Sequence, residues 1–160
     1  MTKPMYVTIK GTRQGAFKGR GSKPDHGRIP ITAFGWETLS PLDAASGQPS
    51  GRRKHKPVVF GKEVDAASPQ ILEALVTNET LSSVLFEFTS VSQGGKETVD
   101  YTISLTNAAV AAFSESVHTG DQGGPPVDSR RLDEVTLTFQ KIEVSNKPGG
   151  TAASDDWLGM

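Results

Sequence analysis

Val99-Asp100-Tyr101-Thr102-Ile103-Ser104-Leu105 alternates apolar and polar residues without a break. A period of two is that of a β-strand with one buried face, here opposite an aspartate, a threonine and a serine. Upstream, Gly94-Gly95-Lys96-Glu97 reads as a hairpin turn, and before it Val84, Phe86 and Phe88 alternate in the same way. Near the start, Met5, Val7 and Ile9 alternate with Tyr6, Thr8 and Lys10. Downstream, Val135, Leu137 and Phe139 alternate with Glu134, Thr136, Thr138 and Gln140. There the apolar phase jumps to Ile142 and Val144, which predicts a bulge or bend near Gln140-Lys141. With Arg28 to Leu39, Pro57 to Val64 and Ala108 to Val117, the pattern predicts seven or eight strands.

Helical periodicity occurs once, over Ser68 to Asn78, where Ile71, Leu72, Leu75 and Val76 share a stripe. Ser68 is read as the N-cap and Pro69 as the first helical residue. A helix this short does not stand alone, so its stripe is expected to dock on the strands. Long polar loops separate the elements at Gly11 to Gly27, Pro41 to Lys56 and Thr119 to Arg131. The expected organisation is one mainly β domain over residues 1–144 and a flexible tail over 145–160 that ends near Asp155, Asp156 and Trp157.

The 160 residues suffice to bury a core without disulfides or metal, and there is no cysteine. With 17 basic and 18 acidic residues the formal net charge is −1, so no global field draws the chain to nucleic acid or anionic membrane. No apolar run approaches the roughly 18 residues that span a bilayer, and Met1 to Lys10 lacks the continuous apolar run of a Sec signal.

The residues give little sign of catalysis. His26, His55 and His118 are far apart and none has metal-ligand spacing, so neither metal nor cofactor is assigned. No G-x-S-x-G elbow occurs, and Asp65-Ala66-Ala67-Ser68 reads as helix capping. Asp65, Glu73 and Glu79 read as solvated partners of the helix. Gly15 to Lys23 has the wrong order for a phosphate loop. Arg52-Arg53-Lys54-His55-Lys56 is the one dense basic run. It is read as a subunit contact, with Asp155-Asp156 as a complement, in preference to a nucleic-acid site.

Gly51-Arg-Arg-Lys-His-Lys-Pro-Val-Val-Phe-Gly-Lys-Glu-Val-Asp-Ala-Ala-Ser-Pro-Gln-Ile-Leu-Glu-Ala-Leu75 closely resembles the Hcp family, the tube subunits of bacterial type VI secretion systems. The likeness continues through Leu81 to Phe88, Ile103 to Asn107 and Leu132 to Glu143. It implies a compact β-barrel of two packed sheets with one flanking helix, assembling into hexameric rings that stack as a hollow tube. It further implies a contractile sheath and a spike as partners, small effector proteins as cargo in the lumen, no enzymatic activity, and assembly in the cytoplasm before release without a Sec signal. Arg13, Lys18, Arg20 and Lys23 make the Gly11 to Asp25 segment more basic than the family's pattern.

Two surfaces follow as expectations. The polar face of Asp100, Thr102, Ser104, Thr136, Thr138 and Gln140 either lines the channel or faces bulk water, since alternation identifies a polar face and not its neighbour. Arg52, Arg53, His55 and Lys56, with Asp155, Asp156 and Trp157, are expected at ring-to-ring contacts. The rival readings are the tail-tube protein of another phage-like contractile injection system and a carbohydrate-binding β-barrel.

Overall fold

The computed structural model describes residues 3–19, 27–51, 53–118 and 130–157. Its elements in chain order are β1 (Met5–Gly11), β2 (Gly15–Ala16), β3 (Ile29–Ile31), β4 (Ala33–Gly35), β5 (Thr38–Leu39), β6 (Lys54–His55), β7 (Val58–Glu63), α1 (Ala67–Thr77), β8 (Leu81–Val91), β9 (Glu97–His118), β10 (Arg130–Thr138), β11 (Lys141–Asn146) and β12 (Thr151–Asp156). Among the described residues there are twelve strands where seven or eight were expected: the Arg28 to Leu39 segment breaks into three short ones, β2, β6 and β12 are additional, and two of the expected strands merge in β9.

Every pairing is antiparallel, and the pairings form a closed circuit. β1 pairs β8, β8 pairs β9, β9 pairs β10, β10 pairs β7 and β7 pairs β4. Through Thr32, whose amide donates to the Gly61 carbonyl, β4 is continuous with β3, and β3 returns to β1. Closure covers edges that an open sheet would leave unpaired. Two packed sheets result, one centred on β1, β8, the first half of β9 and β11, the other on the second half of β9, β10 and β7.

The 22-residue β9 joins them. Ile103 to Asn107 and Ala108 to Val117, read separately in the sequence, are halves of this one strand. Along one edge it pairs β11 over Tyr101–Thr106 and then β10 over Ala109–His118. The handover falls at Asn107, whose φ of 50° bends the strand. Opposite it, β10 ends and β11 begins, and the Gln140 amide donates to the carbonyls of Thr106 and Asn107. The predicted bend near Gln140-Lys141 is this junction.

The core fills from alternate positions: Val7 and Ile9, Val58 and Phe60, Val84 and Phe86, Ile103 and Leu105, Val135 and Leu137. Phe17 joins them from the glycine-rich segment after β1, which composition marked as a polar loop.

Three expectations are corrected here. α1 starts at Ala67, so Ser68 is not the N-cap and Pro69 is not the first helical residue. Capping comes from Asp65, whose Oδ1 accepts from the Ala67 amide while its own amide donates to Ser68 Oγ. The buried stripe of α1 is Ala67, Ile71 and Ala74, whereas Leu72 and Val76 are exposed. Two alanines let the helix sit close to the sheet, which moves the contact face away from the bulkier leucine and valine. Finally, residues 151–156, expected in a loose tail, form β12, which completes a hairpin with β11.

Candidate functional site

The antiparallel register sorts the outer face of the first sheet into cross-strand rows. Tyr6, Glu87, Thr102 and Ser145 form one row; Thr8, Leu85, Ser104 and Glu143 form the next; Lys10, Ser83, Thr106 and Lys141 form a third. Hydroxyls, carboxylates and ammonium groups alternate across a broad surface with one leucine in it. Arg28 crosses its margin with its guanidinium 4.0 Å from the centre of the Tyr6 ring, 3.4 Å from the Glu87 carboxylate and 3.8 Å from that of Glu97. Such a face is built for water or for a polar partner.

The six residues expected to share one polar face are divided. Asp100, Thr102 and Ser104 lie on β9 in the first sheet. Thr136 and Thr138 lie on the outer side of β10 in the second, with Thr136 opposite Ala112 and Val59. Because the sheets pack through the core, their outer faces point away from each other. Gln140 belongs to neither face: at the junction its Oε1 accepts from Asn107 and its Nε2 donates to Asp156.

The residues expected at ring contacts converge within the chain. Ile9, Val84, Leu105, Ile142 and Asp155 share one core-facing row, so β12 aims the Asp155 carboxylate inward. Arg53 and His55 from the β6 hairpin meet it there. Arg53 donates to it through Nε and Nη2, both at 2.5 Å, and His55 Nε2 lies at 2.5 Å. The other His55 nitrogen is 2.8 Å from Thr38 Oγ1, and its ring packs on Phe139 and Trp157. The Arg53 hydrogen bonds hold the Asp155 carboxyl below the usual carboxylate range, His55 adding to this and burial opposing it. Asp155 is therefore a complement of the basic run within one subunit. Lys56 stays outside the cluster in an exposed pair with Glu37, and Arg52 lies outside the described residues, as do Arg20, Lys23 and His26.

The described residues of the Pro41 to Lys56 loop above this cluster form a hairpin. β5 pairs β6, Leu42 bridges to Pro49, and Asp43 organises the tip by accepting from the Ala45 amide and the Ser46 hydroxyl. Leu42, 63% exposed, projects from it.

A buried cluster escaped the sequence reading. Lys62 is fully buried, and its ammonium donates to Asp65 at 2.7 Å, Asp133 at 2.8 Å and Ser68 at 2.9 Å. Ser68 Oγ in turn donates a hydrogen bond to Asp133 Oδ2. The serine thus has its donor and both acceptor sites engaged, away from solvent, which leaves no free hydroxyl for nucleophilic chemistry. The cluster ties the start of α1 to β7 and β10. Glu79, expected in solvent, is also buried and accepts from the amides of Arg13 and Gln14 and from the Gln14 side chain. Burial pushes its carboxyl upward, but those hydrogen bonds outweigh it and hold it below the usual range. Among the described residues no group of three or more metal-ligating side chains occurs, and no helix is long and apolar enough to cross a membrane.

Fold and surfaces together define a small two-sheet β-barrel with one buttressing helix, a broad polar sheet face and no assembled reaction centre among the described residues. The family described as "Type VI secretion system effector, Hcp" matches residues 6–145. The chain is 32% identical over 167 aligned positions to the "Major exported protein" of Pseudomonas aeruginosa, covering 98% of this chain and 96% of that one. A solved structure described as an Hcp protein superposes with a TM-score of 0.87 at 25% identity, covering 99% of this chain and all of the other. The Hcp1 protein of E. coli EAEC 042, in a double tryptophan mutant, gives 0.83 at 28% identity over 98% of this chain and 100% of its own. The secreted protein Hcp3 of Pseudomonas aeruginosa gives 0.74 at 26%, covering 99% and 100%. The chain belongs to the Hcp family of type VI secretion proteins.

Proposed function

We propose that this protein is a tube-building subunit that closes into hexameric rings, which stack into a hollow conduit for small effector proteins. The match of the Hcp family across residues 6–145 carries this reading. Partners are further copies of the chain, a contractile sheath and a spike, with no nucleic acid and no membrane insertion. Assembly takes place in the cytoplasm and the tube is then released to the outside, in keeping with the exported relative. The subunit transforms no substrate; its work is to enclose and carry.

Two features support a division of labour. The first-sheet rows around Thr102 and Ser104 supply a polar surface suited to a water-filled channel. The hairpin carrying Leu42 presents an apolar tip, suited to the next ring in a heterologous, head-to-tail contact.

Native mass measurement with negative-stain microscopy tests the reading: the expected result is six-membered rings with a central hole. A monomer at all concentrations overturns it. In conditions where the parent forms tubes, Leu42→Asp is expected to leave rings and remove tubes, and tubes of unchanged length would refute the role of the hairpin.

A further inference from the structure

Lys62, Asp133 and Glu115 occupy one cross-strand row on the core-facing side of the second sheet, Asp133 lying between Lys62 of β7 and Glu115 of β9. The two oxygens of the central carboxylate are unequal. Oδ2 accepts from Lys62 and Ser68, whereas Oδ1 is buried and has no hydrogen-bond partner among the described residues. A buried acceptor left without a donor is costly, and native structures seldom keep one. Pairing between β8 and β9 ends at Ala108, so Glu115 remains open to water at the end of the row while standing beside Asp133.

We propose that Glu115 and Asp133 share one proton and form a pH-sensitive clasp between β9 and β10. With the proton in place, the Glu115 carboxyl donates to Asp133. Loss of the proton sets two negative charges against each other, and Glu115 swings to solvent while Asp133 stays with Lys62.

The charged groups around the clasp fix its direction. β7 contributes Lys62, the turn before α1 contributes Asp65, β9 contributes Glu115, and β10 contributes Asp133 with Arg131 two residues along the same face. One fully buried ammonium thus serves three carboxyl groups, and it already bonds to Asp65 and Asp133. Hydrogen bonding to Asp133, with burial and its negative charge, pushes the Glu115 carboxyl above the ordinary glutamate range against the pull of Lys62. A raised folded-state value means that the stabilisation is complete at low pH and is lost as pH rises through that value.

Carbon-detected NMR of the side-chain carboxyls in the full chain reads the titration, and Glu115→Gln supplies a donor at every pH. The expected result is a Glu115 midpoint above the ordinary glutamate range, with the Tm of E115Q gaining on the parent as pH rises. Glu115→Ala, which removes the donor, is expected to fall below the parent at acidic pH. A Glu115 midpoint in the ordinary range, or E115Q tracking the parent at every pH, overturns the proposal.

Discussion

The carboxylate of Asp155 receives two hydrogen bonds from the guanidinium of Arg53, a residue 102 positions earlier in the chain. A planar fork on a carboxylate is a geometrically specific pairing. Here it fastens the C-terminal hairpin to the base of the projecting loop. The basic run and the acidic end, each legible as a contact surface, are first a contact with one another.

Replacing Asp155 by Asn keeps the shape and removes the charge. The expected change is a fall in Tm of about 2–4 °C at neutral pH for a chain of this size. Because the Asp155 carboxyl is held below the usual range, its stabilisation is present above the unfolded-state value and disappears as pH falls through the folded one. The gap between parent and variant therefore closes in acid, as scanning calorimetry at pH 7 and pH 3 would show. A gap unchanged at pH 3 would contradict the arrangement.

The buried pair Lys62 and Asp133 predicts a sharper asymmetry. Removing one partner, as in Lys62→Met, leaves an uncompensated buried carboxylate and is expected to cost about 3–5 kcal/mol. Removing both, as in Lys62→Met with Asp133→Leu, is expected to recover most of that loss, because well-packed apolar groups often replace a buried ion pair at little net cost. Urea titration of the two single variants and the double variant completes the cycle. Additive losses would show that the two groups do not act as a pair.

Glu79 holds the turn after β1 to the end of α1, and the approach is close. A Cβ at Gly11 would stand 2.0 Å from Glu79 Oε2, so a larger residue there would have to push the Glu79 carboxylate away from the amides it accepts from. Glu79→Ala strands the amides of Arg13 and Gln14 and is expected to cost about 1.5–3 kcal/mol, the range for hydrogen bonds to a charged group. Its carboxyl is held below the usual range, so this contribution is present above the unfolded-state value and fades as pH drops through the folded one. The sign is opposite to that of Glu115, and guanidinium midpoints measured from pH 3 to pH 8 separate the two.

Much of this architecture was written in alternation. Val99 to Leu105, Met5 to Ile9 and Val135 to Phe139 announced their buried faces, and the phase jump at Gln140 announced the bend. What stayed hidden lies where tertiary contacts override local pattern. β12 is small and polar, Thr151-Ala152-Ala153-Ser154, and becomes a strand because β11 offers it a ladder. Asn107 resembles a turn residue, yet it is the bend within one long strand. The buried ion pair did leave a trace: Lys62 continues the buried phase of Val58 and Phe60, and Asp133 that of Val135 and Leu137. Two charges of opposite sign on core-facing positions of different strands are a legible sign of pairing. The proposed ring contacts have no comparable signature, because a polar residue type on a strand face identifies the face and not what covers it.

The two sheet faces offer a direct way to locate the proposed channel. Thr102 lies within the broad polar rows of the first sheet, whereas Thr136 sits between Ala112 and Val59 on the second. If the first sheet lines the lumen, a bulky maleimide label at Thr102→Cys narrows the channel and weakens effector retention, while the same label at Thr136→Cys leaves retention unchanged and instead affects contacts on the outside of the tube. The natural chain has no cysteine, so each label reports a single position. Both sites are partly exposed on strand surfaces, so substitution there is expected to cost little stability and ring formation can be verified first by mass. Retention is measured by co-purification of a cargo protein with labelled rings. Loss of cargo at Thr136 with none at Thr102 would place the channel against the second sheet, and equal loss at both would refute a one-faced lumen.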